Sequence, residues 1–205
     1  MPEPTPRQAR TATTAVPLHP LLAQRWSPRA FDPHGEMPTD QITALLEAAR
    51  WSPSAANTQP WRFVVARRGT PAFAHVLAAL APGNQVWARN SAVLLVAVAE
   101  TVDEDGAPRP WAQYDVGQAV AHLSMQAQAE GLVVHQMGGF SADALSAAFG
   151  LEERFQPMVV AAIGSHDADL VLPEPLAVRE QATRTRLPLA ELLVGGEPVA
   201  LPRSA

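Results

Sequence analysis

The sequence contains no cysteine and no lysine in its 205 residues, and only one tyrosine. Without cysteine there is no disulfide, no thiolate metal site, no iron–sulfur ligand set and no CxxC redox pair. Without lysine there is no Schiff-base chemistry and no P-loop lysine. Any redox work must therefore come from a bound cofactor, and any strong phosphate contact from arginine, hydroxyls or backbone N–H groups. Long apolar runs are missing too: no stretch approaches the roughly 18 residues of a membrane span. Basic runs stop at Arg67-Arg68, and 15 arginines against 20 acidic residues leave a net charge of −5, which argues against a nucleic-acid partner. The lysine-free, alanine-rich composition reads first as a genome-wide base bias. The N-terminus lacks the apolar core of a signal peptide, so a cytoplasmic protein is expected.

What is present is 47% hydrophobic sequence, enough for one domain with a real core. Residues 1–18, rich in Pro, Thr, Ala and Arg, read as a flexible leader, residues 19–195 as a single domain and 196–205 as a tail. A short helix is expected over residues 20–24, then a turn at Ser27-Pro28. Thr39 reads as the N-cap of a helix whose Ile42, Leu45, Leu46 and Ala49 share one face. It ends near Trp51, where Pro53 and a Ser-Ala-Ala-Asn-Thr-Gln run are turn chemistry. Strands are expected over 62–66, 92–100, 132–137 and 157–164, with the second, almost wholly apolar, covered on both faces. Helices are expected over 72–80, closed by Pro82-Gly83, over 111–130 with Val116, Val120, Leu123 and Ala127 in one stripe, and over 142–149 after a Ser141 cap. From His166 the proline-rich chain, and residues 174–202 above all, read as wrapping rather than packing as a layer. The alternation of strands and helices predicts an α+β domain with a mixed central sheet covered by helices.

Two segments have the composition of a binding site. Arg25-Trp26-Ser27-Pro28-Arg29 places two arginines and a serine where a dianionic phosphate could be gripped, or simply presents solvent-facing arginines around a turn. Residues 48–63 run from a helix end through Ser54, Ala55, Ala56, Asn57 and Gln59 into Pro60-Trp61. Small side chains there would let backbone approach a planar ligand, with amides for a heterocycle edge. The other reading is a plain helix-to-strand loop with two core tryptophans, Trp51 and Trp61.

RWSPRAF, EAARWSPSAANTQPWRF, the Gly138-Gly139-Phe140 turn and Arg184-Thr185-Arg186-Leu187-Pro188 together resemble the FMN-dependent nitroreductase family, from about residue 20 to about residue 193. The resemblance implies an α+β fold, an intertwined homodimer and two FMN sites at the subunit interface. Arg25 and Ser27 would take the FMN phosphate and ribityl chain, and Arg29 the pyrimidine edge. Trp26, where relatives often carry a basic residue, would contribute backbone only. Pro53, Ser54, Ala55 and Asn57 would reach the flavin of the other subunit, Asn84 would hydrogen-bond the flavin ring, and Gly138 and Gly139 would offer N–H groups near N5. Arg184 and Arg186 would complete the phosphate site, one of them where relatives often have lysine. The implied activity is ping-pong hydride transfer from NADH or NADPH through flavin N5 to a nitroaromatic, quinone or enone, with no catalytic side chain. A specialised flavin dehydrogenase of the same superfamily, or an FMN-storing protein without turnover, are the alternatives.

Rival chemistry has little support. The six histidines lie too far apart for HExxH or HxxxH metal spacing. Ser165-His166-Asp167 are adjacent and cannot form a relay, and no GxSxG is present. Asp103-Glu104-Asp105 reads as a solvated acidic loop. The segment from about Asp103 to Tyr114 and the residues around Trp87 are expected to shape the mouth of the cleft, with Tyr114 itself read first as a core or surface packing residue and second as a substrate contact.

Overall fold

The computed structural model describes residues 10–196. The leader and tail readings for residues 1–9 and 197–205 lie outside them. Four strands form one sheet in the order β1-β2-β4-β3, with β1 Trp61–Arg67, β2 Val93–Glu100, β3 Val133–Met137 and β4 Phe155–Gly164. Within the chain every pairing is antiparallel, so the mixed character expected of the sheet is absent among the described strands.

β2 is buried along its whole length and explains its own composition. Val93, Leu95, Ala97 and Ala99 face one helical layer, and Leu94, Val96 and Val98 face the other, so the period-two alternation of a strand is apolar on both sides. The first layer is α2 (Thr39–Arg50) and α5 (Ala112–Ala129), which bury Ile42, Leu45 and Ala49 and the stripe Val116, Val120, Leu123 and Ala127. The second is α3 (Pro71–Ala79), α4 (Pro82–Ala88) and α6 (Ala142–Phe149), contributing Phe73, Val76, Trp87 and Leu145. Pro157 in β4 sits opposite Val98, where the β2–β4 register shifts and a ladder N–H is not demanded.

Several local expectations are corrected. Thr39 is the first helical residue rather than the N-cap, because its hydroxyl accepts from Arg67 Nη2 (3.0 Å) and Pro38 takes the cap position. Pro82-Gly83 does not merely close α3; Pro82, whose lack of an N–H suits the first helical turn, starts α4. The segment after His166 is not only a wrap. It forms α7 (Glu174–Gln181), which seats Leu176 in the second layer's core. Ser141 does cap α6, its Oγ accepting from Ala144 N, and Gly150 ends it in the left-handed region at φ 61°. The helix expected at 20–24 is α1 (Pro20–Gln24).

Candidate functional site

The turn after α1 gathers arginines. Arg25 Nη1 donates to Ser27 Oγ (3.3 Å). Arg184 Nη1 donates to the carbonyls of Ala23 (3.0 Å) and Arg10 (2.6 Å), which stitches the C-terminal segment to α1 and the leader. Burial, then the nearby charge of Arg186, lowers the Arg25 pKa. Burial, then Arg25, Arg186 and Arg10, lowers that of Arg184. None of Arg25, Arg184 or Arg186 has a carboxylate within ion-pair distance among the described residues. Among the described residues, three guanidiniums and a hydroxyl thus share one region without a carboxylate in ion-pair contact.

The backbone of the same turn is held from two sides. His135, on β3, lies under Trp87 (ring centroids 4.4 Å apart), and its Nδ1 is 2.8 Å from the Pro28 carbonyl. A carbonyl only accepts, so Nδ1 carries the proton. Burial, outweighing that hydrogen bond, pushes the His135 pKa down to about 4. Glu180 of α7 accepts from Arg29 N (2.9 Å) and Ala30 N (3.2 Å). Burial pushes Glu180 up, but His166 and those two amides outweigh it and hold the carboxyl below its ordinary value. Arg29's guanidinium stands 3.9 Å from the same carboxylate, so its charge is partly offset. The Trp26 ring lies under the Arg10 guanidinium (4.6 Å) and against the edge of His166 (5.4 Å).

Gly138 and Gly139 follow β3. Gly139 O accepts from Ala81 N (2.9 Å) and Asn84 Nδ2 (3.4 Å), so α4 and this turn are locked together. A Cβ on Gly139 would stand 3.2 Å from Asn84 Nδ2 and 3.3 Å from Ala81 Cβ, whereas a Cβ on Gly138 would meet open space. Asn84 and the glycines, far apart in sequence, are brought together.

Pro53, Ser54, Ala55 and Asn57 are elsewhere. Their loop precedes Trp61, which pairs with Ala99 at the C-terminal end of β2. The arginine turn runs into Phe31, which bridges His166 beyond β4, next to the N-terminal end of β2. Ala56, Asn57 and Gln59 all have positive φ, at 50°, 58° and 47°. Ser52 Oγ, buried at the loop's start, has no hydrogen-bond partner among the described residues. Of the two tryptophans flanking the loop, Trp61 is core and Trp51 is 76% exposed. Trp87 does not shape a cleft mouth: it is 1% exposed, because α4 turns it onto Phe31 and His135. Tyr114, at the end of the segment expected at the same mouth, is exposed.

His135, Glu180, Asp115 and Glu100 were not singled out by sequence. Each is a polar residue where an apolar one would satisfy the pattern, in a strand, on a helix stripe or at a strand end. That violation of period was the available signal. No cluster of metal-binding side chains occurs among the described residues, and no helix among them is long and apolar enough to cross a membrane.

Helices cover both faces of an antiparallel sheet, which makes this an α+β protein, with three arginines gathered at the turn after α1 and the Gly138-Gly139 turn at the end of β3. Residues 22–70 and 67–165 match the Nitroreductase family, and the chain belongs to it. A solved structure described as an oxidoreductase containing FMN is 36% identical, with a TM-score of 0.84 over 90% of this chain and 94% of that one. An uncharacterized 15.4 kDa protein of Mycolicibacterium smegmatis is 33% identical over 143 residues, covering 66% of this chain and 95% of the relative. An oxygen-insensitive NAD(P)H nitroreductase of Salmonella typhimurium is 25% identical over 192 residues, covering 73% of this chain and 88% of the relative.

Proposed function

We propose that the chain is an NAD(P)H-dependent FMN oxidoreductase acting as a homodimer on electron-poor acceptors such as nitroaromatics, quinones or enones. The observation that carries this reading is the cluster of Arg25, Arg184 and Arg186, with Ser27 on Arg25, that has no carboxylate within ion-pair distance among the described residues. A phosphate dianion fits that donor set, since charge-assisted hydrogen bonds from guanidinium forks are the strong phosphate contacts open to a protein without lysine. The open space over Gly138 fits the approach of a flat ring, and Asn84, fastened to Gly139, sits beside it.

FMN held there would supply two-electron hydride-transfer chemistry. The protein's own residues bind, orient and tune. Arg25, Ser27, Arg184 and Arg186 would hold the phosphate end. Arg29, its backbone pinned by Glu180, would bring positive charge to the pyrimidine edge, and the Gly138 and Gly139 N–H groups would face the ring where no side chain intervenes. No side chain is required as nucleophile.

Sheet geometry supports the homodimer. The eight residues of β2 span about 25 Å at roughly 3.3 Å per residue, and this length separates the arginine turn from the residue 53–57 loop. If both sets serve one flavin, they come from two copies of the chain. Purified protein is expected to be yellow, dimeric by light scattering, and to consume NADH or NADPH when a nitroaromatic is added. A colourless monomer that does not take up FMN would refute the proposal.

A further inference from the structure

We infer that Asp115 and Glu100 are positioning residues that hold the residue 54–59 loop in a left-handed, binding-ready conformation. The inference rests on the reading that this loop contacts FMN. Three of four residues in Ala56, Asn57, Thr58 and Gln59 have positive φ without being glycine. Backbone in that region persists only where its surroundings over-determine it, and such strain concentrates at ligand clamps. Here the surroundings are two buried carboxylates from other elements. Asp115, in the first turn of α5 and 2% exposed, accepts from Ala55 N through Oδ2 (3.1 Å). That is the only hydrogen bond of its carboxylate among the described residues. A buried carboxylate with so few donors is a costly way to fill space, and its use is explained by the amide it fixes.

Glu100, the last residue of β2 and also 2% exposed, fastens the other end. Its Oε2 accepts from Arg62 Nη2 (2.7 Å) and Arg109 Nη1 (2.6 Å), and its Oε1 from Arg154. The two arginines on Oε2 then reach back to the loop. Arg109 Nη1 lies 3.4 Å from Thr58 O, while Arg62 Nη1 donates to Gln59 O (3.0 Å) and Trp61 O (2.8 Å). Glu100's own N–H donates to Pro60 O (2.8 Å). Four successive carbonyls, from Thr58 to Trp61, are thus held by Glu100 or by arginines oriented on it. Ser54 Oγ closes the loop internally by accepting from Gln59 N (3.1 Å). Once either anchor is removed the loop can relax to ordinary backbone, and the affinity seen by the ligand falls with the fraction still competent.

The test compares Asp115→Ala, Asp115→Asn and Glu100→Gln in the full-length chain. It uses amide hydrogen exchange of the FMN-free protein and FMN titration followed by flavin fluorescence. Asp115→Ala should speed exchange at residues 55–59 and weaken FMN binding about tenfold, corresponding to a competent fraction near one tenth. Asp115→Asn, which keeps an oxygen acceptor for Ala55 N–H, should restore both to within about twofold. Glu100→Gln should speed exchange at Thr58, Gln59 and Trp61; if it does not fold, the Asp115 pair still decides the matter. Unchanged loop exchange in Asp115→Ala, unchanged FMN affinity, or an Asn variant as impaired as the Ala variant would overturn the inference. Failure of the wild-type chain to bind FMN would instead refute the functional reading, with the exchange data still deciding whether the two carboxylates hold the loop.

Discussion

Acidification should destabilise the fold through His135 before it reaches the carboxylates. The ring is buried under Trp87 with its Nδ1–H on Pro28 O, and its pKa is lowered from 6.5 to about 4. The charged groups facing it are Arg29, which opposes protonation, and Glu180, which favours it; burial outweighs both. Between those two values the unfolded chain binds a proton that the folded chain excludes, so stability is full above about pH 6.5 and falls as pH drops toward 4. A shift of this size corresponds to about 3 kcal/mol in total, of which about 2 kcal/mol is lost by about pH 5. Glu180 acts in a lower window. Its folded pKa is depressed below 4.5, so its contribution is present above that value and is lost as pH falls through the folded one. Urea unfolding at closely spaced pH between 7 and 5 measures the effect, with His135→Asn, which retains an amide donor but does not titrate, as control. The wild-type loss should be largely absent in the variant. Equal pH slopes for the two proteins, or an imidazole that titrates near 6.5 by NMR, would refute the reasoning.

Other outcomes follow from single contacts. Ser141→Ala removes the side-chain cap on Ala144 N and should cost about 1 kcal/mol in denaturant unfolding. Gly139→Ala places a methyl 3.2 Å from Asn84 Nδ2 and 3.3 Å from Ala81 Cβ. It should displace the Asn84 side chain, visible as a shift of its amide resonances, whereas Gly138→Ala should leave them in place. Trp87→Ala empties the space between Phe31 and His135 and should cost about 3–5 kcal/mol, read as a lower urea midpoint.

Much of this architecture was legible because period alone carries it. The apolar run of β2 could only be a strand covered twice, and the stripes of α2 and α5 landed on the residues their spacing named. What was missed depended on partners distant in sequence. Arg67, 28 residues away, takes the Thr39 hydroxyl and displaces the cap by one position. Pro82 looks like a stop until Trp87 is seen to need burial five residues later. In the candidate site the arginines and glycines were visible as motifs. The groups that aim them, His135 on Pro28 and Glu180 on Arg29 and Ala30, lie more than 100 residues from their targets, and no local pattern joins them. The same holds for Asp115 and Glu100 on the residue 54–59 loop.

Comparison of FMN with riboflavin tests most directly whether the arginine cluster, which has no carboxylate within ion-pair distance among the described residues, is a phosphate site for FMN. The two ligands share the ring and differ by the phosphate. Fluorescence titration of the flavin-free protein should show FMN bound at least about tenfold more tightly than riboflavin, with each charge-assisted contact contributing about 1.5–3 kcal/mol. Arg25→Ala and Arg186→Ala should erase most of that preference while leaving riboflavin affinity nearly unchanged. Equal affinity for the two ligands in the wild-type chain, or an undiminished preference in both variants, would contradict the account.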